Sequence, residues 1–187
     1  VFCYSWSWLI PDEIVRNYDC ICLHPSMLPK YRGGSPIQNQ VFDRVLDSAV
    51  SVFKMNSGID EGPIYKQIKL NLDAPIDEVF KRMSEAGKII SKDLIYDYLN
   101  NNLLFHEQDH RNATVVKRRK PSDSKMLLED ILSLDFIELQ RKVNILRAPY
   151  PNVNIEFNGF LLNITRIHFF RSLTEESLLI NESISLE

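Results

Sequence analysis

The chain has 187 residues, 44% hydrophobic and 25% charged, with a net charge of −3 at pH 7. That length makes one medium globular domain, or a domain with a small appendage. No run approaches the roughly 18 apolar residues of a membrane helix, the mild charge gives no sign of a broad nucleic-acid-binding face, and Cys3, Cys20 and Cys22 lack the spacing of a disulfide framework or a zinc site.

Residues 1–5 read as a short buried strand. A domain rarely opens on a central strand, so the reading expects sequence before Val1. Pro11 followed by Asp12 and Glu13 suits a helix N-terminus, and that helix is expected to end near Tyr18. Residues 19–23 are apolar almost throughout, as buried parallel strands are. Three prolines and the pair Gly33-Gly34 then make residues 22–38 a loop of defined shape. Ser35-Pro36 reads as the cap and first residue of a helix with Ile37, Val41, Val45 and Phe42 inward.

Residues 49–55 read as a strand, and 56–63 as a loop. Residues 64–72 alternate in polarity, which predicts a strand nearer a sheet edge. Ile76, Val79, Phe80, Met83, Ile90, Leu94 and Tyr98 recur at helical spacing over 76–99, a core-packing stripe. Alternating strand and helix predicts a largely parallel α/β sheet for residues 1–105. After about residue 105 the character changes. Residues 113–117 read as a strand, and 135–148 as a helix with Phe136, Leu139, Val143 and Leu146 inward. Residues 153–157 and 160–170 form a predicted hairpin on Asn158-Gly159, and 178–184 a last strand. Residues 106–187 are thus expected to form a small β-rich module. The basic run Lys117 to Lys120 is read equally as a solvated strand end and as a binding patch. The N-x-S/T matches at Asn112, Asn163 and Asn181 are read as chance, since nothing else suggests secretion.

His24 lies in the rigid loop and Asp60 in the next one, each just after an apolar run. Neighbouring parallel strands would bring both side chains to one sheet edge, where α/β proteins place chemistry. His-Pro-Ser-Met-Leu-Pro-Lys-Tyr-Arg-Gly from His24, followed by Gly-Ile-Asp-Glu-Gly-Pro-Ile from Gly58, resembles the folate-dependent formyltransferase family. Ala-Thr-Val-Val-Lys-Arg-Arg-Lys-Pro from Ala113, then Arg-Ala-Pro-Tyr-Pro from Arg147, resembles the C-terminal module of its methionyl-tRNA and amino-sugar branch. The resemblance implies a formyltransferase-like, Rossmann-like fold. It leaves about 70 family residues before Val1 without counterpart.

The resemblance also implies a catalytic set of His24, Asp60 and a loop asparagine, whose position here is Cys22. Formyl transfer needs an oxyanion partner and a proton shuttle, and a histidine beside a carboxylate can serve as both. Trp8, Leu9 and Ile10, with Asn56, Ser57, Gly58 and Ile59 opposite, would form the pterin pocket for 10-formyltetrahydrofolate. The bland alternative for the tryptophans is core packing. Ser26, Lys30, Arg32, Gly33, Gly34 and Gln38 would face the acceptor. Lys30 and Arg32 are read equally as phosphate partners and as solvated cations.

Three functions stand on this reading. The first is a cytoplasmic N-formyltransferase without a metal, acting on an amino-sugar nucleotide; the low pI favours that acceptor over tRNA. The second is a methionyl-tRNA formyltransferase, and the third a non-catalytic formyltransferase-like binding protein. A homodimer is left open.

Overall fold

The computed structural model describes residues 1–168, apart from 5 and 7. The expected strand over 178–184, residues 169–170 of the expected hairpin and the Asn181 sequon lie outside the described residues. A mixed sheet holds β1 (Phe2–Tyr4), β2 (Ile21–His24), β4 (Asp47–Lys54) and β5 (Ile64–Asn71) in the order β1-β2-β4-β5. Helices α1 (Asp12–Asn17), α2 (Pro36–Phe42) and α3 (Ile76–Leu99) interleave with these strands. A two-residue β3 (Arg32–Gly33) pairs in parallel with β6 (Val115–Val116). Beyond lie α4 (Leu128–Ser133), α5 (Phe136–Ile145), β7 (Val153–Phe157) and β8 (Phe160–Ile164), the last two an antiparallel pair.

The α/β class and the C-terminal strand pair agree with the sequence reading, but the strand directions correct it. β1 runs parallel to β2, whereas β4 is antiparallel to both β2 and β5. A parallel link must return the chain to the far end of the sheet. α2, of seven residues, covers only about 10 Å. Residues 25–46 therefore stay beyond the end of β2, and β4 runs back alongside it, Ser51 opposite His24 and Lys54 opposite Ile21.

Packing follows the periodic stripe of α3. Ile76, Val79, Ile90 and Leu94 are buried, each such side chain contributing about 1.5–3 kcal/mol. Tyr98 at the helix end stays on the surface. A β-carbon at Gly87 would come 2.8 Å from Leu23 Cδ1, so glycine allows this close approach of α3 to β2. Leu23 thus faces α3, and Cys22 and His24, one residue either side, face the other way. β5 is the edge strand that its alternation predicts.

One buried cluster joins Ile37, Val50 and Ile90 with Val143, Ile145 and Val153, across residue 105. α5 brings Val143 into it, and Leu146 follows just after; Phe136 is the exception to the expected stripe and remains exposed. Asn158 and Gly159 both take positive φ, 48° and 78°, as a tight hairpin turn requires. Among the described residues no helix is long and apolar enough to cross a membrane.

Candidate active site

His24 closes β2 and is 6% exposed. Its Nε2 lies 2.8 Å from the carbonyl oxygen of Tyr31. Its Nδ1 lies 3.4 Å from Asp60 Oδ2. A carbonyl oxygen only accepts, so Nε2 carries a hydrogen and Nδ1 is the atom left for Asp60. An ionised carboxylate also only accepts. A hydrogen on Nδ1 is what lets the two close to hydrogen-bond distance.

The two side chains meet by a route other than the expected one. β2 and β4 are antiparallel, so the loop after β4 starts at the amino end of β2. Residues 55–63 then run back along the face of β2 that carries Cys22 and His24. Asp60 sits in the left-handed region, φ 51°, which Asp tolerates better than most residues. Its Oδ2 accepts from the Gly33 N–H at 2.8 Å. Gly33 itself has φ 97°, and a β-carbon there would come 2.4 Å from the Val116 carbonyl oxygen, so glycine is required where the loop docks on β6.

A buried strap holds this arrangement from behind. Gln108 Nε2 donates to the carbonyls of Asp60, at 2.9 Å, and Gly62, at 2.7 Å. Gln108 Oε1 accepts from Arg32 Nε and Nη2 at 3.1 and 2.6 Å. Arg32 is 4% exposed and also reaches His110 Nδ1 at 3.4 Å and Glu61 at 3.8 Å. Arg32 therefore spends these donors inside the protein. Gln108 lay in a polar stretch with no periodicity and no motif, so sequence reasoning had no signal for it. Gln108→Leu is expected to lower unfolding free energy by about 2–4 kcal/mol, because it leaves the buried guanidinium without its main acceptor. Urea unfolding measures this, and a loss below about 0.5 kcal/mol would remove the strap from the account.

The other expected site residues fall in several places. Ser26 is fully buried, donating to the Lys30 carbonyl at 2.6 Å and accepting from Ser51 Oγ at its own carbonyl. Both contacts are internal to the protein. Lys30 is exposed. Gly34 donates to the Val116 carbonyl at 3.0 Å. Ser35 caps α2 without a side-chain cap bond; its Oγ accepts from the Arg119 N–H instead. Gln38 is buried with both amide atoms unpaired.

Trp8 and Leu9 are exposed at 75% and 86%, so the core reading of Trp8 does not hold; Ile10 is half-buried. Asn56, Ser57 and Ile59 are exposed, and Asn56 Oδ1 accepts from the Gly58 N–H in a local turn. No hydrogen bond or ring contact joins these two segments among the described residues. Cys22 is partly buried on the His24 face, its thiol 3.7 Å from the Leu23 carbonyl. Burial first, and then the Asp60 charge, push that thiol up to about 12. At neutral pH it is a weak donor and no thiolate.

Residues 1–106, more than half of the chain, match the family model described as Formyl transferase. The methionyl-tRNA formyltransferase of Ehrlichia ruminantium (strain Gardel) is 29% identical over 176 residues, 89% of this chain and 52% of that protein. The chain spans about half the length of the curated relatives it matches. The structure of methionyl-tRNA formyltransferase from Clostridium thermocellum is 31% identical, covers 90% of this chain and 72% of that one, and superposes with a TM-score of 0.77. HypX from Aquifex aeolicus, in complex with tetrahydrofolic acid, shares the fold at 13% identity, 86% and 28% coverage and a TM-score of 0.74. With the match over residues 1–106 and the His24 and Asp60 loops packed against each other, the chain belongs to the formyl transferase family.

Proposed function

We propose that the protein transfers a formyl group from 10-formyltetrahydrofolate to a primary amine, and that the amine is the amino group of methionyl-tRNA. The observation that carries the reaction class is the His24–Asp60 pair, 3.4 Å apart, in a family that moves formyl groups. The acceptor rests on the relatives. Those at 29% and 31% identity are methionyl-tRNA formyltransferases, which outweighs the pI on which the amino-sugar order rested. A division into residues 1–105 and a module over 106–187, and a cytoplasmic setting, belong to the same reading.

In this mechanism the amine nitrogen bonds to the formyl carbon, and the carbonyl oxygen becomes an oxyanion. His24 donates to that oxygen through Nδ1–H, the ring position that the Tyr31 carbonyl does not engage, with the Asp60 charge 3.4 Å away. The carbon–N10 bond then breaks, and the proton lost by the amine ends on N10. Exposed apolar side chains at Trp8, Leu9 and Ile59 are available to pack on the pterin ring.

The test incubates full-length protein with 10-formyltetrahydrofolate and either methionyl-tRNA or an amino-sugar nucleotide. Formylated methionyl-tRNA is the expected product. Formylation of the sugar nucleotide alone would reverse the acceptor. Folate binding without product from either would leave the binding-protein reading.

A further inference from the structure

The far end of α2 carries a cluster that the mechanism does not use. Phe42, the last residue of that helix, has the Arg119 guanidinium 4.1 Å from its ring centroid and the Lys142 ammonium 3.9 Å from it. Each cation is attracted by the ring, and the two repel each other. Arg119 Nε is buried without a hydrogen-bond partner. Lys142 makes no ion pair among the described residues, whereas its neighbours Arg44 and Arg141 are paired with Glu138 and Asp73. Burial holds both Arg119 and Lys142 below their ordinary values. For Lys142, Arg119 and Arg44 add to that effect, and Glu138 and Asp43 oppose it.

A cavity of about 80 Å³ opens beside the ring, lined by Phe42, Arg44, Glu138, Arg141 and Lys142 with Val41 and Leu134. That is room for several water-sized groups. Three cations, Arg44, Arg141 and Lys142, line this hollow against one carboxylate, Glu138, so it is short of negative charge; Arg119 stacks on the ring without lining the hollow, and its Nη2 donates to the Asp123 carbonyl. We propose that the cavity beside Phe42 binds a phosphate group, held by Lys142 with the Arg44 and Arg141 guanidinium groups that line the same hollow. Phosphate supplies the missing countercharge and several acceptors at once, and a guanidinium with an ammonium is a common pairing for it.

Its place in the fold suggests which molecule carries the phosphate. Ser35, at the start of α2, accepts from the Arg119 N–H at 3.0 Å, and Gly33 two residues earlier holds Asp60. α2 sets the cluster roughly 10 Å from that loop. An acceptor with its amine at His24 and a phosphate at Phe42 must be longer than an amino acid. An RNA 3′ end and a nucleoside diphosphate both qualify. This assignment to the acceptor rests on the function proposed above; the phosphate site itself does not.

The experiment follows the Nε–H resonance of Arg141, which lines the cavity, in full-length ¹⁵N-labelled protein while inorganic phosphate replaces chloride at constant ionic strength. A saturable shift in the millimolar range is expected, and Lys142→Met, which keeps an apolar stem over the ring, is expected to abolish it. No shift beyond chloride, or an equal shift in Lys142→Met, overturns the site. Lys142→Met is also expected to raise KM about tenfold for the acceptor whose phosphate binds here. A rise for methionyl-tRNA identifies an RNA phosphate, and a rise for an amino-sugar nucleotide identifies a diphosphate. An unchanged KM for both overturns the assignment to the acceptor. If neither acceptor is formylated, the proposed function fails, and the resonance still decides the phosphate site.

Discussion

Asp60→Asn is expected to lower the formyl-transfer kcat by about a hundredfold to a thousandfold while leaving the fold intact. Asn tolerates the left-handed backbone of this position, φ 51°, as well as Asp does. Its amide oxygen can still accept from the Gly33 N–H that Asp60 Oδ2 now engages. What it removes is the charge 3.4 Å from His24 Nδ1. Without that charge an Nδ1–H donor loses its countercharge, and Nε2 remains committed to the Tyr31 carbonyl. The amide can also donate to Nδ1, which fixes the neutral ring and removes its second donor. The measurement is single-turnover transfer with folate saturating, alongside the melting temperature. A kcat within tenfold of the parent, at unchanged melting temperature, would take Asp60 out of the chemistry.

How the chain builds this pair was legible in part. The helix over 76–99 was readable because 24 residues of one period leave no alternative. The hairpin was readable because Asn158-Gly159 accepts two positive φ values. The edge position of β5 was readable because Gln67, Lys69 and Asn71 alternate with Ile68 and Leu70, which gives the strand one wetter face. Strand direction was not readable. It depends on where residues 25–46 deposit the chain, and α2 is too short to carry it back across the sheet.

The same limit applies to the site. His24 and Asp60 were marked by their loops, but the path that joins them depends on β4 running antiparallel. Arg32 read as facing the acceptor through the family resemblance, with a phosphate contact and solvent weighed equally. Its partner Gln108 stands 76 positions later, joined through the β3–β6 pairing of Arg32 with Val115. Such a strap is a product of tertiary distance, and nothing local in the sequence encodes it.

Cys22→Asn is expected to raise the formyl-transfer kcat by roughly a hundredfold, as adding one positioned donor to an oxyanion site does. Cys22 lies on the His24 face of β2, close enough to Asp60 for that charge to act on its thiol. Its sulfur lies 3.7 Å from the Leu23 carbonyl, a weak contact that an amide can exchange for a stronger one. Asn offers two N–H donors where the thiol offers a weak single one. The substitution also has a pH signature independent of turnover. In the folded protein the thiol is held up to about 12, against 9.0 for an ordinary one. The folded state therefore keeps a proton that the unfolded chain releases, and stability from this group is present below pH 9 and lost as pH rises toward 12. Cys22→Asn should flatten that alkaline loss in urea unfolding. A flattened profile with kcat unchanged places Cys22 near Asp60 but outside the oxyanion site. Failure of both parent and variant to formylate any acceptor, with folate still bound, gives the function to binding rather than catalysis.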